Sequence, residues 1–321
     1  MNEVPPKSGT TPETHNFAHR IDVNGIPLEI TRHWLRIARL VSETWIEERT
    51  EEEYVALIGS LRALKTGVDI FTFSQKIPRV KPRFRYPVKW ENAAAIPLTT
   101  YQDWLGSLST EMRKDLKRAV NRGVVTKIVE LDDELVTGII AVHDEAAVRQ
   151  GKAFTHFGKD HDTVKKDYSS FIERSAFIAA YSGTEMIGII KVVYIGTLAC
   201  IMQILTKIAH YDKRPTNALI AKTVDFSIQR GSSYLTYGEL YYKKQTRSSL
   251  ADFKVRNGFE CIRYPRYYVP LTLRGRIGVR LKLHEGFQII VPKFAYSFLV
   301  DLRTAIRSSI LRNRGYRGRS D

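Results

Sequence analysis

Apolar residues recur at helical spacing in EEEYVALIGSLRAL, where Val55, Leu57, Ile58, Leu61 and Leu64 fall along one side. The spacing predicts a helix ended by Thr66-Gly67, and VDIFTF follows as a strand. Upstream, IDVNGIPLEIT and WLRIARLVSETW read as strands, with a turn at Asn24-Gly25. Ser109 or Thr110 caps a basic helix through Val120, which Gly123 stops, and VVTKIVE alternates as a strand. DDELVTGIIAVHDEAAVRQ and HDTVKKDYSSFIERS read as two helices. SAFIAAYSG, EMIGIIKVVYIG and LACIMQILTK then read as three consecutive strands, the first two joined at Ser182-Gly183. KRPTNALIAKTVDFSIQRG is a strong helix with Leu219, Ile220, Val224 and Ile228 along one side, Pro215 near its first turn and Gly231 past its end. YLTYGEL is a strand, SLADFKVRNGF a short helix and ECIRYPRYYVPLT a closing strand. From residue 124 the order is β-α-α-β-β-β-α-β-α-β, which predicts an α+β or mixed α/β domain.

Composition adds one strong constraint. Hydrophobic content of 43% and charged content of 26% belong to a globular protein, but the net charge of +16 over 321 residues calls for an anionic partner: nucleic acid, phosphorylated small molecules or a membrane surface. Cys200 and Cys261 sit in apolar strand-like runs without a CxxC neighbour, so two buried free thiols are expected and no metal site. The N-terminus lacks the apolar core of a secretory signal, and no run reaches the length of a membrane span, so the expected address is the cytoplasm.

Organisation follows from composition shifts. Residues 1–19 are polar and rich in Pro, Thr and Ser, a disordered lead. An α+β domain is expected over 20–108, a second domain over 109–272 and a basic tail over 273–321. Between the helices and strands, KIPRVKPRFRYPVK (76–89) holds six Lys/Arg and three Pro without an acid: a solvated connector or a basic lip over an anion site. The tail holds eleven Lys/Arg against three acids, 11 − 3 = +8. Within it, 292–314 places Phe298, Leu299, Leu302, Ile306 and Ile310 on one stripe flanked by arginines. That pattern suits an anionic membrane surface, at the inner face of the membrane, or docking on the protein itself.

The element order over about 124–272 resembles the GNAT acyltransferase fold. MRKDLKRAVNRGV is similar to the basic helix that leads into the second domain of Fem-type peptidoglycan aminoacyltransferases. VRQGKAFTHFGKD, DKRPTNALIAK and SLADFKVRNGF together look like a bacterial Fem-like group. The resemblance implies two GNAT-like domains in tandem, with VALIGSLRALKTGVDIFTF a remnant of a shortened first copy. It implies an N-acyltransferase moving an acyl or aminoacyl group from an activated donor to an amine acceptor such as a cell-envelope precursor. No permanent cofactor is implied; acyl-CoA or aminoacyl-tRNA is the co-substrate.

The resemblance also assigns roles. The donor phosphate is expected at the start of the helix after the three strands, where free N–H groups and the dipole attract anions. There the usual Q/R-x-x-G-x-G/A pattern is replaced by Lys213, Arg214, Thr216 and Asn217, which leaves acyl-CoA and aminoacyl-tRNA both open. Thr216 and Asn217 equally read as helix caps. Glu239, at the end of YLTYGEL, is the expected general base in a cleft between strands 198–207 and 234–240. Tyr242 is the expected proton donor to the leaving group. His156 is the third catalytic candidate. Arg149, Gln150, Phe154 and Lys159, in the loop bent by Gly151 and Gly158, and Lys254 at the rim, are the acceptor-binding candidates. The rival reading is a non-catalytic GNAT-like module that binds tRNA or another polyanion. No GxxxxGK[ST], GxGxxG, GxSxG or HExxH motif is present, which disfavours kinases, dinucleotide oxidoreductases, lipases and zinc proteases.

Overall fold

The computed structural model describes residues 17–31, 34–64, 66–149, 151–242 and 248–285. They form two compact units, a smaller one from 17–41, 51–72 and 268–285 and a larger one from 42–50 and 73–267.

In the smaller unit β1 (Phe17–Val23) and β2 (Ile26–Thr31) are an antiparallel hairpin. Its turn residues Asn24 and Gly25 both have positive φ, as a two-residue hairpin turn requires. β2 pairs antiparallel with β3 (Ile37–Leu40), and β3 pairs parallel with the start of β4 (Ile70–Ser74), Ile37 opposite Ile70. The intervening α1 (Glu51–Ala63) buries Tyr54, Leu57, Ile58 and Leu61. Val55 and Leu64, expected on that side, are exposed, because Tyr54 takes the inner position one residue earlier.

The larger unit opens with β5 (Val88–Pro97), α2 (Tyr101–Ser107), α3 (Thr110–Asn121), β6 (Val124–Val129) and α4 (Asp133–His143). A small hairpin of β7 (Val148–Arg149) and β8 (Lys152–Ala153) leads to α5 (His161–Tyr168). Then come β9 (Ser175–Ser182), β10 (Glu185–Ile195), β11 (Leu198–Thr206), α6 (Pro215–Gln229), β12 (Tyr234–Thr236), α7 (Ser249–Arg256) and β13 (Glu260–Pro270). The strands lie in the order β13-β5-β12-β11-β10-β9-β6, antiparallel except for β11–β12. Successive strand side chains point to opposite faces. Ile178, Ile190, Ile201 and Ile204 therefore pack with Leu219, Ile220 and Val224 of α6, while Phe177, Ala179, Ile189 and Leu205 pack with Val136, Ile139 and Val142 of α4 and Val164 of α5. Helices cover both faces, which is why β9–β11 read as continuous apolar runs. The chain ends its described course in the smaller unit with α8 (Leu273–Arg280) and a short 3-10 helix at Leu283–Glu285.

Several expectations need correction. The helix expected to run through Arg149 ends at His143, and β7–β8 follow, turning through Gly151 at φ 71°. The next helix stops at Tyr168, short of the expected Ser175, before a left-handed Phe171. The strand YLTYGEL ends at Thr236, because Gly238 is left-handed at φ 54°, so Glu239 lies on a loop. Besides β7 and β8, three elements were not anticipated: α8, in the stretch read as a tail; β5, whose low-propensity VKWENAAAIP is held by β12 and β13 on its two sides; and α2, capped by Thr100, whose side chain accepts from Asp103 N. Cys200 is buried as expected, but Cys261 is exposed. Residues 1–16, Gln150 and the amphipathic stretch 292–314 lie outside the described residues. Among the described residues no helix is long and apolar enough to cross a membrane.

Candidate functional site

The site forms where two parallel neighbours part. β11 and β12 pair only from Leu198 opposite Tyr234 to Cys200 opposite Thr236, after which β12 ends and β11 runs on to Thr206. The register of β11 against β10 slips at this point: Lys191 faces Gln203 and Val192 faces Ile201, so Met202 is an extra residue. Such a bulge bends its strand and increases its twist. The chain leaving β12 is then held from the other side by Asn92 of β5. Its Oδ1 accepts from Leu240 N and Tyr241 N at 2.9 Å each, and its Nδ2 donates to Tyr241 O at 3.1 Å. Backbone bonds between Ala94 and both Tyr237 and Gly238 complete the clamp.

Lys254 of α7 reaches this loop from behind. It lies on the buried face of its helix with Leu250 and Ala251 and is fully buried. Its Nζ donates to Glu239 O at 2.6 Å and to Tyr242 Oη at 3.4 Å, and stands 4.5 Å from the Tyr237 ring centroid. Burial holds the ammonium down to about 7, only partly offset by the Glu239 charge. Burial also pushes the Tyr242 phenol up, and the same carboxylate adds to that shift. Tyr242 is thus an O–H donor at neutral pH, in contact with an amine that gains and loses its proton there. Glu239 and Tyr242, placed together by the sequence, do share this loop. Lys254, expected at a rim, is interior. Its position four residues after Leu250, on the apolar side of a short helix, was the available signal.

The four donor-phosphate candidates gather at the start of α6, each engaged by the protein itself. Lys213 Nζ donates to Ser182 Oγ at 2.8 Å, and Arg214 pairs with the buried Asp115 at 3.2 Å. Thr216 Oγ1 meets Thr206 Oγ1 at 3.0 Å. Asn217 Nδ2 donates to Asn257 Oδ1 at 3.1 Å. Just upstream, Glu145 accepts from Ile208 N at 2.6 Å and Ala209 N at 2.8 Å, a role that sequence did not suggest. The helix opens on Pro215, which has no N–H to offer.

The 145–160 connection makes a third group. Arg149 is buried, donating to Thr206 O at 2.9 Å and Val142 O at 2.7 Å, pairing with Glu145 at 3.2 Å and lying over the Phe154 ring. His156 is buried against Phe154 and His143, with ring centroids 5.3 and 5.0 Å away, and neither of its ring nitrogens has a hydrogen-bond partner. Burial lowers its pKa, and Lys159 nearby lowers it further. His143, whose Nε2 is 3.4 Å from Tyr168 Oη, is pushed by burial to about 3. Both shifts favour the neutral imidazole. Lys159 pairs with Asp167 at 2.6 Å.

No protein-family model matches the chain, and no curated protein matches it. Solved structures do. FemX superposes with a TM-score of 0.57 at 9% identity, over 81% of this chain and 88% of that one. L-PGS from Bacillus licheniformis gives 0.52 at 14% identity, over 80% and 86%. The C-terminal domain of a putative lysylphosphatidylglycerol synthetase from Agrobacterium fabrum gives 0.50 at 13% identity, over 83% and 88%. Identities this low speak to fold. With its bulged β11, its parting from β12 and its helices on both faces, the chain shares its fold with FemX, L-PGS and the putative lysylphosphatidylglycerol synthetase domain.

Proposed function

We propose that the chain is an aminoacyl transferase, moving an ester-linked aminoacyl group from a tRNA-type donor to an amine at the opening between β11 and the 237–242 loop. The observation that carries the reading is Lys254, a fully buried lysine held near pKa 7 and in contact with Tyr242. Aminolysis of an ester forms a C–N bond, breaks a C–O bond and carries one proton from the attacking amine to the departing oxygen. Tyr242 gives its proton to that oxygen and is reprotonated by Lys254, which takes up the proton the amine releases. Glu239, on the same loop, biases the amine toward its charged form.

The start of α6 supports an ester donor over acyl-CoA. A pyrophosphate needs free backbone N–H groups and unpaired cations. Here Glu145 holds the N–H groups of Ile208 and Ala209, and Lys213 and Arg214 have partners. The exposed Arg79, Lys81 and Arg85 of the basic arm offer charge for donor phosphates instead. The test supplies radiolabelled aminoacyl-tRNA or acyl-CoA with a panel of amines. The reading expects tRNA deacylation with amide formation, lost in Lys254→Met. Release of CoA with aminoacyl-tRNA left intact would overturn it.

A further inference from the structure

A helix at a protein surface normally turns its bulky apolar side inward and its polar side to water. In the smaller unit, α8 does the reverse. Its inward positions are glycines: a Cβ on Gly275 would lie 2.0 Å from Asp69 O, and one on Gly278 would meet Leu35 at 3.0 Å. Its outward positions are Leu273, Ile277 and Leu281, which are 72%, 49% and 56% exposed. These recur every fourth residue and form one stripe. Arg274 borders the stripe on one side, and Arg276 and Arg280 on the other, all exposed.

The helix is held in this attitude. Thr272 caps it, accepting from Gly275 N at 3.1 Å and donating to Asp69 Oδ1 at 2.7 Å, while Leu271 N donates to Asp69 O at 2.8 Å. Arg274 donates to Trp34 O at 3.1 Å, which brings a 48% exposed indole beside the stripe. A concavity of about 640 Å³ continues from there, lined among others by Trp34, Arg36, Leu273 and Arg274. The acid in that wall, Asp69, is buried and accepts from Arg36 N at 3.0 Å as well as from Thr272; it also pairs at 3.7 Å with Arg274, whose guanidinium stays 59% exposed and keeps further N–H groups for a second anion.

We propose that this face of α8, with Trp34 and Arg36, docks on a bilayer rich in anionic phospholipid, lipid phosphate pairing with Arg36 and Arg274. Leu and Ile side chains enter the headgroup boundary, a Trp ring sits at headgroup level, and flanking arginines meet anionic phosphate. Charge selects this occupant over the others. Residues 286–321 carry seven Lys/Arg and two acids, 7 − 2 = +5, so as a cover for α8 they would add cations to cations. A second copy seated face to face would do the same, since a two-fold contact sets the same patch against itself.

The experiment uses the full chain. Ile277→Cys, in a Cys261→Ser background that removes the exposed native thiol, carries a nitrobenzoxadiazole label. Vesicles are phosphatidylcholine with or without phosphatidylglycerol. The label's emission should shift to the blue and be quenched by doxyl-labelled lipid with the anionic vesicles alone. Leu273→Ser/Ile277→Ser/Leu281→Ser, at exposed positions, should keep the native circular dichroism and lower vesicle partitioning by about tenfold or more. Three results overturn the proposal. Sedimentation with a silent label puts the contact in another segment. A label already blue in buffer means that the tail or a second copy covers the stripe. Absence of binding to anionic vesicles removes the lipid reading.

Discussion

Replacing Lys254 by Met keeps a long unbranched side chain and removes the charge, so it isolates the cost of burying an ammonium. The amine's pKa falls from 10.5 to about 7 on folding. A lowered lysine pKa destabilises the fold wherever the unfolded chain holds the proton more tightly. The cost is full below about pH 7, shrinks as pH rises and vanishes near 10.5. The span corresponds to about 5 kcal/mol, at about 1.4 kcal/mol per unit. The substitution also strips Glu239 O of its 2.6 Å donor, a loss of about 1 to 3 kcal/mol at any pH. At pH 6 Lys254→Met should therefore be more stable than the parent by about 2 to 4 kcal/mol, and at pH 10.5 less stable by about 1 to 3 kcal/mol. The two stability curves should cross near about pH 9. Urea unfolding followed by circular dichroism from pH 6 to pH 10.5 measures this directly. Parallel curves would show that the amine titrates as an ordinary lysine, and the proton-carrying role assigned to it would fall with them.

Tyr242→Phe should lower kcat for aminoacyl transfer by about 10²-fold with little change in KM, because only proton delivery is lost; single-turnover rates check it. Glu239→Gln removes the charge that raises the Lys254 pKa, so the pH–rate limb near 7 should move to lower pH. Glu145→Ala leaves the buried Arg149 without its carboxylate and frees two N–H groups, and should cost about 3 kcal/mol in urea unfolding. Gly59→Ala in α1, with nothing within 4 Å of the new methyl, should raise stability by about 0.5 to 1 kcal/mol, whereas Gly275→Ala should lower Tm sharply because its methyl meets the Asp69 carbonyl.

The large sheet was legible because β9, β10 and β11 are long apolar runs joined by short turns. α6 was legible because Pro215 and Gly231 bracket an apolar side. β5 was hidden for the opposite reason. Its Ala93, Ala94 and Ala95 have poor strand propensity, and what makes them a strand is pairing with residues at 234–236 and 260–267, distant in sequence. The site inherits that difficulty. Glu239 and Tyr242 could be marked as polar residues after an apolar strand. The residue that fixes their loop, Asn92, sits on the strand that sequence did not show. Lys254 was marked as a charge, but its burial depends on which side of α7 meets the core, and eight residues carry too little periodicity to decide that.

The start of α6 carries the argument about the donor one step further. The absence of glycines at 213–217 is visible in sequence, yet four polar residues there leave two meanings open: another way of holding phosphate, or none. Contacts from outside the segment separate them. Asp115 of α3 takes Arg214, Ser182 of β9 takes Lys213, and Glu145 beyond α4 brings a carboxylate to two N–H groups. A dianionic pyrophosphate would have to displace that carboxylate, leave Arg149 without its partner and part Arg214 from Asp115. Those costs fall before any binding energy is gained. A donor gripped along a polyanionic backbone elsewhere, and presented only by its ester end, avoids all of them. For the reaction proposed above, these contacts favour an ester donor over one anchored by its pyrophosphate at this helix.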